Sequence, residues 1–123
     1  MMDDAGGTPR ITYARIIDGI VQAIVVFLPV DAYQEKQCMQ VGYAVAPQFR
    51  KQGIATETLK QSLTEIQNGF KNKMKSFFVE AVVSVDNTAS KKIAERIISP
   101  EYKQITDKAS GQPALQFFRH ITT

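Results

Sequence analysis

Cysteine and histidine are nearly missing from this chain of 123 residues: Cys38 and His120 are the only ones. A single cysteine cannot form an internal disulfide, and one cysteine with one histidine falls short of a zinc cluster, so disulfide scaffolds and zinc modules are excluded and no metal is expected. Long apolar runs are also scarce. The longest, Ile20 to Val30 with Gln22 inside it and Phe77 to Val85 with Glu80 inside it, are shorter than the ~20 residues of a membrane span. The start, MMDDAGGTPR, carries two acids where an export signal has a basic start and an apolar core. These absences predict a soluble, cytoplasmic protein.

The composition, 44% hydrophobic and 22% charged, fits one globular domain with a single core. The net charge is only +3, but Arg50, Lys51, Lys71, Lys73, Lys75, Lys91, Lys92 and Arg96 gather in the middle of the chain, so anionic ligands are plausible partners. Residues 1–9, with Gly6, Gly7 and Pro9 and no apolar period, read as a flexible leader to a domain over 10–123. Two strands, ITYARII and IVQAIVVFL, flank a tight turn at Asp18-Gly19, where both residues tolerate positive φ. Asp31 to Lys36 read as a loop, and Cys38 to Ala46 as a third strand closed by Pro47.

Leu59, Leu63, Ile66 and Phe70 then step by four, three and four, the period of one buried helix face. Phe77 to Val85 is almost continuously apolar and β-branched, as befits a central strand. Asp86-Asn87-Thr88 can start a second helix with Ala89, Ile93 and Ile97 inward, ending before Pro100. Two short strands, Tyr102 to Thr106 and Ala114 to Ile121, complete the order β-β-β-α-β-α-β-β. That order predicts a mixed α/β (α+β) fold.

The stretch QFRKQGIATETL, Gln48 to Leu59, places two cations and Gly53 at the entrance of the first helix. A helix N-terminus presents unpaired N–H groups and about half a positive charge, so an anion is stabilised there. Gly53 permits close backbone approach, and Ala55 keeps the first turn small. The stretch lacks the Lys-Ser or Lys-Thr of a nucleotide P-loop and the three glycines of the dinucleotide fingerprint. Arg50-Lys-Gln-Gly53-Ile-Ala55 resembles the acyl-CoA loop of the GNAT N-acetyltransferases: Arg or Gln, two residues, Gly, one residue, Gly or Ala. Val41-Gly-Tyr-Ala-Val-Ala-Pro47 is similar to the strand that leads into that loop, and Val85-Asp-Asn-Thr-Ala-Ser90 to the family's segment between the fifth strand and the next helix.

The resemblance covers about Arg10 to Ile121 and implies a GNAT-like, mostly antiparallel sheet with helices packed on it, and acetyl-CoA as cosubstrate. It implies that backbone N–H groups of Lys51, Gln52, Gly53, Ile54 and Ala55, with Thr56, hold the pyrophosphate. Val45 would pair with the pantetheine arm, Asn87 and Ser90 would lie along it, and Arg50, Lys51 or Lys91 would meet remaining phosphate charge. The family's frequent carboxylate and tyrosine are replaced by Gln40 and Ala94. Glu80 is the carboxylate left as a candidate base, one whose apolar neighbours would favour its protonated form if it had few partners. Tyr43 is the tyrosine nearest the expected reaction centre. The family usually begins with a strand and two helices that wall the acceptor pocket, where this sequence has about ten residues before its first hairpin strand. The expectation is either an open acceptor site or one completed by a partner subunit, with an apolar patch that favours a homodimer. The implied function is acetyl transfer to a primary amine of a small molecule or protein. A CoA-binding domain with little catalysis is the alternative. Binding of nucleic acid rests on the cations alone and lacks interleaved aromatics.

Overall fold

The computed structural model describes residues 2–5 and 8–123. The strands are β1 (Met2–Ala5), β2 (Thr8–Ile17), β3 (Ile20–Tyr33), β4 (Lys36–Val45), β5 (Ser76–Ser84), β6 (Lys103–Thr106) and β7 (Pro113–Thr122). The helices are α1 (Ile54–Gly69) and α2 (Thr88–Ile97), with a 3₁₀ turn at Pro47–Phe49 ahead of α1. One sheet runs β1-β2-β3-β4-β5-β7-β6. Every pairing is antiparallel except β4 with β5, the pair that α1 connects, because parallel neighbours need a long crossover.

Of the expected leader, Met1, Gly6 and Gly7 lie outside the described residues, while Met2–Ala5 pair with β2 as an edge strand. The β2–β3 turn falls at Asp18-Gly19, with φ of 51° and 78°. Asp31 to Lys36 differ from the expected loop. β3 runs on to Tyr33, and the chain reverses at Gln34 and Glu35, both at positive φ. The polar residues of this tail mislead a pattern reading because the strand there is bulged between Val30 and Tyr33, which breaks the alternation.

Both helices pack on one face of the sheet. Side chains alternate along each strand, so Phe27, Met39, Val41, Phe77, Val79, Ala81, Leu115 and Phe117 point to that face and meet Leu59, Leu63 and Ile66 of α1. Phe27, Leu59, Phe77, Val79 and Phe117 are fully enclosed. α2 differs slightly from the expected stripe: Ala94 and Ile98 are its buried contacts, Ile93 and Ile97 flank them, and Ala89 is exposed.

The opposite face carries Cys38, Gln40, Phe78, Glu80, Val82, Gln116, Phe118 and His120, and among the described residues no helix covers it. Part of this face is closed by the chain itself. The β3 tail brings Tyr33 across to stack on Phe118, with ring centroids 3.7 Å apart, and Phe78 meets Tyr33 edge-on at 4.9 Å. Cys38 lies beneath, 1% exposed. Towards the β2–β3 turn, Ile16, Ile17, Ile20, Val21, Ile24 and Leu28 remain exposed.

Candidate active site

The strand-to-helix junction after β4 forms a cleft of about 550 Å³. Its entrance is shaped by backbone conformation. Lys51 and Gly53 both have positive φ, 63° and 74°. Two positive-φ residues so close together turn the chain sharply just before the helix start, where unpaired N–H groups suit an anion. Gly53 is the N-cap of α1 and has no side chain to cap it, so the first intrahelical bond is Glu57 N–H to the Gly53 carbonyl at 3.1 Å. The earlier N–H groups of the helix are therefore left toward the cleft, where Gly53, Ile54, Ala55 and Thr56 form the lining. A Cβ built on Gly53 meets nothing within 4 Å, so the glycine answers a conformational need and leaves open space in front of the backbone.

Val45, Arg50, Lys51, Gly53, Ile54, Ala55, Thr56, Asn87 and Ser90, nine positions singled out from the sequence, line this one cleft. Gln52 does not: its amide folds back and donates to the Gln48 carbonyl at 3.3 Å. Arg50 Nε donates to the Val45 carbonyl at 3.3 Å, which ties the basic loop to the end of β4. Lys91 is turned away, 3.7 Å from Glu95 and over the Tyr102 ring at 5.2 Å. Phe49, Ala44, Ala89 and Ile93 also line the cleft and were not anticipated as site residues. Ala89 and Ile93 carried a signal, an apolar helical stripe, but a stripe facing a cleft has the same pattern as one facing a core.

Behind the cleft, β4 and β5 part. Their pairing runs from Cys38 opposite Phe78 to Val41 opposite Ala81 and stops there, although both strands continue. The gap is a slot of about 220 Å³ bordered by Gly42, Tyr43, Val82 and Val83. Tyr43, Asn87 and Ser90 border both cleft and slot. Asn87 caps α2, its Oδ1 accepting the Ser90 N–H at 3.1 Å. The Tyr43 hydroxyl donates to the Ser90 carbonyl at 3.0 Å, and burial pushes this phenol up to about 12. Its proton is thus held inward.

On the uncovered face is a third space, a rear cavity of about 510 Å³, which has the lining residue Val82 in common with the slot. Glu80 lies here. Its carboxylate accepts the Gln40 Nε2 amide at 3.2 Å and the Gln116 Nε2 amide at 2.6 Å, so the expected shortage of partners is not found. Gln40, in place of a carboxylate, is a donor that fixes one. Gln116 had no sequence signal, because only the β5–β7 register brings it beside β5. Cys38 borders the same cavity, its thiol pushed up to about 11 by burial and then by the Glu80 charge. Ala94 is fully buried in the core and reaches none of these spaces. His120 is an exposed residue whose ring lies 4.9 Å from that of Phe78. Cleft and slot thus adjoin through Tyr43, Asn87 and Ser90, and the held carboxylate lies in the rear cavity on the other side of Val82.

The family model described as an acetyltransferase (GNAT) domain matches residues 18–97. No curated protein matches the sequence. Solved structures share the fold at low identity. A GNAT-family acetyltransferase from Streptococcus pneumoniae superposes with a TM-score of 0.67 at 12% identity, over 91% of this chain and 66% of its own. RimL, a ribosomal L7/L12 alpha-N-protein acetyltransferase in complex with coenzyme A, gives 0.67 at 17%, over 91% and 62%. Mycobacterium smegmatis RimJ in complex with CoA-disulfide gives 0.66 at 19%, over 95% and 54%. The chain thus spans about two thirds of these proteins' length or less. Among the described residues, no helix is long and apolar enough to cross a membrane.

Proposed function

The chain belongs to the GNAT acetyltransferase family, and from that premise we propose that it transfers the acetyl group of acetyl-CoA to a primary amine. The observation that carries the reading is the start of α1, with its unpaired N–H groups, in a cleft that shares Tyr43, Asn87 and Ser90 with the β4–β5 slot. A pyrophosphate would sit on the N–H groups of Lys51 to Thr56, with Arg50 and Lys51 adding charge. The pantetheine arm would lie against Ala89, Ile93 and Val45 and enter the slot beside Asn87 and Ser90. Bound acetyl-CoA supplies an activated acyl carbon at the inner end of the slot.

From the rear cavity, an amine would reach that carbon on the side where Glu80 lies. Attack forms the C–N bond and breaks the C–S bond, and the amine's extra proton passes to Glu80, directly or through water. Gln40 and Gln116 fix the carboxylate that takes it. Tyr43 serves in this reading as a brace between β4 and α2. A phenol near 12 gives its proton to a thiolate uphill by roughly 3–4 units, so the leaving group is protonated from solvent. The exposed β2–β3 apolar residues suit a second copy of the chain, which sedimentation would reveal as a dimer.

A CoA-binding domain with little catalysis is the second reading, favoured by Ala94 in the core and by the inward-held Tyr43 proton. Thiol release from acetyl-CoA across a panel of amines, with the acetylated amine identified by mass spectrometry, separates the two. Amine-dependent release supports transfer. CoA binding without release supports the second reading, and failure of both removes the first.

A further inference from the structure

We propose that a second copy of this chain packs face to face on the uncovered side of the sheet, across a two-fold axis near Ile24, and so lies against the β3 flank of the Glu80 cavity. The seat stands on surface chemistry alone. Only the naming of that flank as the acceptor's side rests on the acetyltransferase reading.

Strand register builds the patch. Val25 and Phe27 of β3 point to the helices, so Ile24, Val26 and Leu28 point the other way. Ile24 has Ala14 of β2 on one side and Ala44 of β4 on the other, and Val26 lies in the same manner between Thr12 and Gly42. Branched side chains on the middle strand thus form a ridge between two rows of small residues. Such a surface fits its own copy turned about a two-fold axis, the ridge of each lying in a groove of the other. Ile24 and Leu28 are 38% and 36% exposed, and Ile17 and Ile20, paired at the hairpin end, are 45% and 50% exposed. With the alanines beside them these side chains leave apolar surface on the order of 450 Å² open, towards the upper end of what a monomer exposes. A stable interface takes about 800 Å² from each partner, a little over half of it apolar, so the patch has the size that one copy needs.

Charge favours a second copy over a different partner. None of Thr12, Ala14, Ile24, Val26, Gly42 and Ala44 is charged. A charged partner finds no counter-charge here, whereas two copies meet with no like charges opposed. The patch is also continuous with the candidate site. Leu28 lies opposite Gln40, and Gln40 opposite Glu80, one row across three strands that sets Leu28 about 10 Å from Glu80.

Sedimentation of the wild type, of Ile24→Lys and Ile24→Glu alone, and of the two variants mixed in equal amounts tests the seat. The wild type should run as a dimer of the 13.7 kDa chain. Each variant opposes like charges across the axis and should self-associate at least about 100-fold more weakly, and the mixture, which opposes unlike charges, should return to a dimer. That return also excludes misfolding as the cause of the loss, and circular dichroism checks each variant alone. A wild-type monomer overturns the proposal, including one that binds vesicles or another protein instead, as does a dimer that either variant leaves intact. A mixture that stays monomeric overturns the face-to-face placement. The sedimentation result decides the seat whether or not any amine is turned over. Where one is, the monomeric variants should show a several-fold rise in amine KM at unchanged CoA affinity, and an unchanged KM would take the partner away from the acceptor's side.

Discussion

Tyr43→Phe removes one oxygen and tests whether this tyrosine is a brace or an acid. At neutral pH the loss is a hydrogen bond to the Ser90 carbonyl, worth about 1 kcal/mol net. The alkaline range adds a second effect of opposite sign. In the wild type, burial raises the phenol from 10.0 to about 12 in the folded state. A raised acid of this kind gives stability that is fully present below the unfolded value and is lost as pH rises through the folded one. Two units correspond to ~2.7 kcal/mol at most, and partial solvent access reduces this to ~1–2 kcal/mol. The variant has no such group. Its urea-unfolding free energy should therefore lie about 1 kcal/mol below the wild type at neutral pH, and the gap should close or invert by about pH 12. Every other residue is common to both proteins, so its contribution cancels in the difference. Parallel stability curves across the alkaline range would refute the inward-held phenol. On turnover, less than about a tenfold fall is expected from a brace; a fall of about 100-fold or more at unchanged CoA affinity would make Tyr43 the acid after all.

Asn87→Ala should lower stability by about 1 kcal/mol through loss of the α2 cap, seen as a fall of roughly 3–6 °C in thermal unfolding. An unchanged midpoint would show the cap to be idle. Cys38 should resist thiol reagents in the native protein, being 1% exposed with its thiol pushed up to about 11, and should react fully only on denaturation. Rapid native labelling would mean that the Tyr33–Phe118 cover opens readily.

Local chemistry made much of the fold readable. Asp18-Gly19 fixed a turn, the spacing of Leu59, Leu63 and Ile66 fixed a helix face, and Pro47 closed β4, because each depends on residues close in sequence. The cleft was readable for the same reason: a loop and the helix start that follows it are contiguous. What escaped depends on residues distant in sequence. Gln116 reaches Glu80 only through the β5–β7 register, and the β3 tail reads as a loop until Tyr33 is seen to cross onto Phe118. Gln52 satisfied the loop pattern but spends its side chain on the Gln48 carbonyl. A motif specifies where the backbone must turn, and leaves open which of its side chains face the ligand.

The central claim is that the start of α1 seats the pyrophosphate of CoA. Calorimetric titration of CoA and of pantetheine, which lacks the phosphates, tests it most directly. Two or more charge-assisted N–H contacts are worth about 3 kcal/mol together, so CoA should bind about 100-fold more tightly than pantetheine. Equal affinities, or no heat with CoA, would contradict the assignment.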